Sequence, residues 1–143
     1  MEPEARAHLP VRLRPGDDLR AALQEVARAA AFDAAFVIAG IGSLRPCALR
    51  LAGAAQVTVI DDDVELLTLC GTVAGNGVHL HASVSLPDGR VLGGHVAAGC
   101  RIRTTAEVLL LPLPGFSFTR EHDPATGYPE LRVAESPKPL RAR

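Results

Sequence analysis

The stretch that decides the fold is VHLHASVSLPDGRVLGGHVAA, residues 78–98. Its first half alternates between apolar side chains (Val78, Leu80, Ala82, Val84, Leu86) and polar ones (His79, His81, Ser83, Ser85). Successive side chains of a β-strand point to opposite faces of the sheet. The alternation therefore predicts a strand over 78–86 whose apolar face lies on the core.

A turn follows this strand at Leu86-Pro87-Asp88-Gly89. Proline at the second position and glycine at the fourth are typical of a type I turn closed by a glycine bulge, which makes a three-residue hairpin loop. The loop pairs Leu86 with Arg90, and the same register places His81 opposite His95. A slip of one residue would mix the apolar and polar faces, so the pattern itself supports this pairing.

The predicted hairpin brings three histidines to one face. His79 lies diagonally from His95, about 7–8 Å away between backbones, which is close enough for imidazoles to converge. Three neutral imidazoles on a rigid sheet match the protein ligands of an open zinc site. Zinc held in this way supports hydrolysis. Because a His-x-His pair is also common among half-exposed structural residues, a metal site and a structural role both stay open at this point.

Composition limits the function classes. The chain has 143 residues, 48% of them hydrophobic, which suits one domain with one core. We expect that domain to span residues 1–135, followed by a loose tail over 136–143. The net charge of −1 and the absence of tryptophan disfavour nucleic-acid binding by charge or by base stacking.

Targeting signals are not apparent. The first ten residues contain Glu2 and Glu4 but no apolar run, and no stretch is long and apolar enough for a membrane helix. We therefore expect a cytoplasmic protein without a membrane partner. The three cysteines, Cys47, Cys70 and Cys100, are odd in number and widely spaced, so we interpret them as buried small hydrophobic residues.

The rest of the chain predicts an α+β domain. An extended segment over 8–14 precedes a helix over 18–31, and Phe36-Val37-Ile38 indicates a buried strand running into a tight turn or close backbone approach at Gly40-Ile41-Gly42-Ser43. Further strands are predicted at Cys47–Leu51, Gln56–Ile60, Val64–Val73, Val78–Leu86, Arg90–Ala98 and Thr104–Leu111. Short connections make the sheet mainly antiparallel, with one main amphipathic helix packed on it.

Other polar residues are weaker candidates. Glu107 could act as a catalytic base or support a ligand if its strand lies beside the histidines, or it could simply face solvent. Arg120 could clamp an anion and His122 could be an outlying ligand, or both could belong to a solvated loop after the last strand. Gly75-Asn76-Gly77 is first a turn, and its flexibility could let a ligand approach His79.

Several motifs together resemble the PPC domain, the plant and prokaryote conserved domain. They are Gly40-Ile41-Gly42-Ser43-Leu44, Leu67-Thr68-Leu69-Cys70-Gly71, Val78-His79-Leu80-His81, Pro87-Asp88-Gly89, Val91-Leu92-Gly93-Gly94-His95, Glu107-Val108 and Thr126-Gly127-Tyr128-Pro129-Glu130-Leu131. The resemblance implies a compact α+β domain with an antiparallel sheet that usually assembles as a homotrimer. In prokaryotic members that keep the histidines, it implies a metal site at His79, His81 and His95.

The same resemblance bears on DNA binding. Plant members carry an AT-hook before the domain, whereas this sequence has no Arg-Gly-Arg-Pro core to enter a minor groove. The histidine-bearing hairpin groups the chain with the stand-alone prokaryotic branch, so we do not expect DNA as a partner. The basic tail Lys138-Pro139-Leu140-Arg141-Ala142-Arg143 is interpreted as a solvated terminus.

Two hypotheses of function follow. The first is a homotrimer that binds zinc or another divalent metal through His79, His81 and His95; if it is an enzyme, it is a zinc-dependent hydrolase or lyase acting on an unidentified small molecule. The second is a DNA-associated or protein-interaction module without catalytic activity. A cupin-like metalloenzyme is disfavoured, because Ser83, Ser85 and Leu86 occupy the stretch where the acidic ligand of that motif belongs.

Overall fold

The computed structural model describes residues 8–136, which form ten strands and one helix. In chain order these are β1 (Leu9–Leu13), α1 (Leu19–Ala30), β2 (Ala34–Leu44), β3 (Cys47–Arg50), β4 (Thr58–Ile60), β5 (Val64–Ala74), β6 (Gly77–Ser85), β7 (Val91–Val96), β8 (Ile102–Pro112), β9 (Phe116–Asp123) and β10 (Tyr128–Glu135). The predicted α+β class, a largely antiparallel sheet with one helix, is confirmed.

The strands form one large sheet and one small one. The large sheet has eight strands in the order β1-β8-β2-β5-β6-β7-β3-β4, and all its neighbouring pairs are antiparallel. Strands β9 and β10 form a separate two-stranded sheet. The predicted tail lies, apart from Ser136, outside the described residues, as do the first seven residues of the predicted domain.

Helix α1 begins at an acidic N-cap. The carboxylate of Asp18 accepts hydrogen bonds from the backbone N–H groups of Arg20 and Ala21, both at 3.1 Å, and so satisfies donors that the first helical turn leaves free. The helix ends at Ala31, which adopts a left-handed conformation. Within residues 8–136, no helix is long and apolar enough to cross a membrane.

One large core lies between α1 and the large sheet. Its fully buried side chains come from the helix and from most strands, and they include Leu19, Leu23, Leu49, Leu80, Val84, Val96 and Leu110. Burying one such aliphatic side chain contributes about 1.5–3 kcal/mol. The core therefore fixes which face of each strand points inward.

Strand β2 differs from its prediction. The strand continues through the glycine segment to Leu44 instead of turning there, and of the predicted buried residues only Val37 is buried, whereas Phe36 and Ile38 are 40% and 50% exposed. The predicted close approach is real. A Cβ on Gly40 would lie 2.8 Å from Cβ of Leu69, and one on Gly42 would lie 2.2 Å from the carbonyl oxygen of Thr105.

The segment after Pro112 also differs from its prediction. It forms the β9–β10 hairpin, so Arg120 and His122 lie on a strand and not in a solvated loop. Phe118 is 3% exposed and packs with Ala34 and Ala74 in a small second core. Its ring contacts the ring of Phe36 edge-on, with centroids 5.8 Å apart. The small sheet is thus attached to the ends of β2 and β5.

Candidate metal centre

The β6–β7 hairpin has the predicted loop and register. The backbone N–H of Gly89 donates to the carbonyl of Leu86 at 2.9 Å, the N–H of Leu86 donates to the carbonyl of Arg90 at 2.8 Å, and Gly89 has a positive φ of 84°. His81 pairs with His95. The second strand is shorter than expected, since β7 ends at Val96 and Ala98 is exposed.

The three histidines converge on the face opposite the core. Their candidate ligand nitrogens all lie within 4.8 Å of one another, and Nε2 of His79 is 3.1 Å from Nε2 of His81. The ring of His79 is centred 5.0 Å from that of His95, as the diagonal placement predicts. His79 and His95 are half-buried and His81 is exposed, so the cluster is reachable from solvent.

The opposite face of the hairpin holds this cluster in position. Leu80 and Val84 of β6 and Val96 of β7 are completely buried in the large core. Because side chains alternate along each strand, anchoring these residues fixes the histidines between them on the outer face. The imidazoles therefore project from a rigid sheet.

The surroundings favour neutral imidazoles. Partial burial lowers the pKa of His95 to about 4, and the positive charges of His79 and Arg50 add to this effect. Partial burial also lowers the pKa of His79, and the charges of Arg120 and His81 lower it further. A neutral imidazole has a free nitrogen lone pair, the form that binds a metal ion.

Arg120 of β9 lies beside the cluster. Its Nη2 donates a hydrogen bond to Oγ1 of Thr72, and Thr72 is the cross-strand partner of His79. Its backbone is held by Asn76, whose Oδ1 accepts from the Arg120 N–H at 2.8 Å and whose Nδ2 donates to the Arg120 carbonyl at 3.0 Å. The turn at Asn76 thus joins the β5–β6 connection to β9.

The family of the chain is given by a match to a family profile. The profile of the Plants and Prokaryotes Conserved domain, abbreviated PCC or PPC, matches residues 2–114. The chain belongs to this family. The resemblance found in the motifs is thereby confirmed, and the PCC domain accounts for the large sheet and its helix.

Related proteins extend the comparison. The bifunctional protein GlmU of Synechococcus sp. (strain JA-3-3Ab) is 44% identical over 138 residues, which cover 93% of this chain and 22% of GlmU. A second Synechococcus GlmU is 41% identical, with 21% of its length covered. The chain thus spans about a fifth of the length of the curated relatives it matches.

Two solved structures are similar over nearly the whole fold. A hypothetical protein from Salmonella enterica is 36% identical with a TM-score of 0.85, covering 90% of this chain and 93% of that one. A protein from Archaeoglobus fulgidus, described as metal-containing, is 26% identical with a TM-score of 0.77, covering 87% of this chain and 92% of that one.

The PCC fold separates Glu107 from the histidines. Glu107 lies on β8 opposite Arg12 and Ile41, and strands β2 and β5 stand between β8 and β6. Glu107 could act as a base or support a ligand only if β8 lay beside the strands that carry the histidines. Within one chain it does not. His122 lies on β9 but is exposed and outside the histidine cluster.

The cysteines follow their prediction in two cases of three. Cys47 and Cys100 are fully buried, and hydrogen bonding between the two thiols, together with burial, raises the pKa of Cys47. Cys70 is exposed, which corrects the prediction. It pairs with His81 across β5 and β6 and therefore lies on the histidine face of the sheet.

Thr72, Glu130 and the bridging role of Asn76 were not found from the sequence. The charge of Glu130 on β10 opposes the effect of Arg120 on His79 by raising the pKa of that imidazole. Thr72 is a small polar residue in an apolar strand and gives no signal of its own. Glu130 could have been found only by recognising β10 as a strand.

Proposed function

We propose that this PCC-domain protein binds a divalent metal ion, zinc in the first instance, through His79, His81 and His95. The observation that carries the proposal is the convergence of three ligand nitrogens within 4.8 Å on a rigid hairpin. Three histidines leave room in the coordination sphere for a further ligand. The site is thus suited to present a metal to a small molecule.

The residues present fit a zinc ion. Zinc–nitrogen bonds of about 2.0–2.1 Å place the ligand nitrogens of a tetrahedral site about 3.3 Å apart. The His79–His81 nitrogen pair, at 3.1 Å, is already near this separation, and a rotation of the His95 imidazole would close the rest of the gap, since all the ligand nitrogens lie within 4.8 Å. The lowered pKa values of His79 and His95 keep both rings neutral at neutral pH. Bound zinc would supply Lewis-acid chemistry at this position.

A related protein supports the proposal independently. The Archaeoglobus fulgidus structure, which shares this fold at 26% identity, is described as metal-containing. Its similarity extends over 87% of this chain. Metal binding in a relative of this kind strengthens the case that the histidine cluster is a ligand set.

Metal analysis of protein purified without a histidine tag tests the proposal. We expect about one zinc per chain after zinc supplementation, and loss of most of it in the His81→Ala/His95→Ala double variant. His8→Ala is the matched control, because His8 precedes β1, an edge strand separated from β6 by β8, β2 and β5. Less than about 0.2 equivalents of any transition metal in the wild type would overturn the proposal.

We also propose that the protein is a homotrimer. The sheet face that carries the histidines also exposes large apolar side chains, with Phe36, Ile38, Ile41 and Leu67 between 40% and 56% exposed. An exposed apolar patch of this kind is typical of a protein–protein interface. In a cyclic trimer this patch would pack against a different surface of the neighbouring subunit, so copies of one chain would cover it without a new partner.

Light scattering with size-exclusion chromatography tests the assembly. We expect a mass of three times the 15.0 kDa of the chain for the wild type and a smaller species for Ile38→Asp. Val133→Asp is the control, since Val133 is 57% exposed on β10 and belongs to the other sheet. A monomeric wild type, or an Ile38→Asp variant of unchanged mass, would argue against this interface.

A further inference from the structure

Arg120 combines a backbone fixed by Asn76 with a guanidinium that forms no ion pair among residues 8–136. Asn76 bonds both the N–H and the carbonyl of Arg120, at 2.8 and 3.0 Å. An asparagine that bonds both backbone groups of a distant residue fixes that residue's position. The turn between β5 and β6 therefore fixes the backbone position from which the Arg120 side chain extends.

The guanidinium group is directed onto the histidine face. Its Nη2 bonds Oγ1 of Thr72, a buried residue whose cross-strand partner is His79. Paired residues of an antiparallel sheet project from the same face. The guanidinium of Arg120 and the imidazole of His79 therefore lie side by side on that face.

Within the described chain, no carboxylate forms an ion pair with this guanidinium. The ion pairs among residues 8–136 involve Arg28, Arg45, Arg90, Arg103 and Arg132, and none involves Arg120. Glu130, the acidic neighbour that acts on Arg120 by charge, has its carboxylate bonded by the hydroxyl of Thr126. Nε of Arg120 is buried without a hydrogen-bond partner in the described chain. A buried donor of this kind is unfavourable unless a ligand or water satisfies it.

Other positive groups act by charge on the same cluster. Arg50 is the cross-strand partner of His95, and the charges of Arg50 and Arg20 both act on that imidazole. Among the groups that act on His79, Arg120 and Arg20 are positive and Glu130 is negative. The surroundings thus favour negative charge in a ligand, and a bound divalent metal would add to this preference.

We propose that Arg120 binds the anionic group of a small molecule, a carboxylate or a phosphate, and positions that molecule against the three-histidine site. Arginine presents a planar fork of N–H donors that matches two oxygens of either group. The placement against a metal rests on the proposed function. The anion contact itself depends only on residues of this chain.

Isothermal titration with malonate and with inorganic phosphate tests this inference. Each anion is added to metal-free and to zinc-treated protein, in wild type, Arg120→Gln and Arg132→Gln. Arg132 is the matched control because it lies on the same small sheet but is exposed and paired with Glu121. We expect Arg120→Gln to weaken binding of the preferred anion at least about tenfold, and Arg132→Gln to change it by less than about twofold.

Arg120→Lys is the second variant. It keeps the charge and loses the fork, so we expect an intermediate loss of affinity. If circular dichroism shows that Arg120→Gln does not fold, the affinity of Arg120→Lys tests the inference in its place. Tighter binding of malonate than of phosphate would identify a carboxylate ligand, and the reverse order a phosphate ligand.

The outcomes separate this inference from the metal proposal. If the protein takes up no zinc but the metal-free form binds an anion through Arg120, only the metal proposal fails. If zinc binds and Arg120→Gln titrates like the wild type, only the anion inference fails. The inference is also overturned if neither anion binds the wild type at about 20 mM.

Discussion

The two hairpins that meet at the candidate site differ in how they are held. β6–β7 lies within an eight-stranded sheet, and one face of it packs on the core, with Leu80, Val84 and Val96 completely buried. β9–β10 is a two-stranded ribbon in which Phe118 is the one fully covered large side chain among the described residues. The first hairpin provides the histidines, and the second brings Arg120 to them. A site assembled this way has a rigid ligand set and a more weakly supported charged group.

The largest difference should appear in stability. Leu80→Ala on β6 removes a completely buried side chain, so we expect it to lower the free energy of unfolding by about 2–5 kcal/mol. Val133→Ala on β10 removes an exposed side chain and should change it by less than about 0.5 kcal/mol. Urea denaturation measures both. Equal losses would mean that the ribbon is as much a part of the core as β6.

The histidines of the two hairpins should differ in metal affinity. His79→Ala removes one of three ligands and should weaken zinc binding by at least about a hundredfold, because even loss of a residue that supports a ligand costs about 10–100-fold. His122→Ala on β9 should leave affinity unchanged, since His122 lies outside the cluster. Competition with a chromogenic chelator measures the two constants. A large loss in His122→Ala would show that the ribbon also supplies a ligand.

Asn76 allows the connection between the hairpins to be tested directly. Asn76→Ala removes both hydrogen bonds to the Arg120 backbone, so we expect the Arg120 amide to exchange with solvent about tenfold faster, a cost of about 1.4 kcal/mol. Asn76→Asp keeps the acceptor for the Arg120 N–H and should retain most of the protection. Hydrogen exchange by NMR gives the rates. Unchanged exchange in Asn76→Ala would show that β9 is held by its other contacts.

A further difference should be a pH dependence that originates in the first hairpin. The pKa of His95 is about 4 in the folded metal-free protein, against 6.5 for an ordinary histidine. Between these values the unfolded chain binds more protons, so acidification from pH 6.5 to pH 4 destabilises the fold. His95→Gln should reduce this slope. Denaturation at several pH values in a chelating buffer provides the comparison. If the stability of the wild type and of His95→Gln depended on pH in the same way, the lowered pKa of His95 would be contradicted.

The same contrast explains which elements were predictable. Burial of one face imposes strict alternation on β6, and the Pro-Asp-Gly loop fixes its pairing, so the register of His81 with His95 could be read from the residues. β9 and β10 have solvent on most of both faces, so their side chains follow no period that distinguishes them from a loop. The predicted burial of Phe36 and Ile38 was wrong for a related reason. A continuous apolar run predicts that all its residues are buried, and it does not show which face of the strand points to the core.

The sequence by itself determined the helix, the class of the fold, the hairpin register and the three histidines that share a face. These features depend on contacts between residues near one another in the chain or joined by a short turn. Only the tertiary structure decided that Glu107 stands apart from the histidines and that Arg120 stands beside them, because strand order and the docking of β9 involve residues far apart in sequence. Local periodicity carries no information about which distant strands become neighbours.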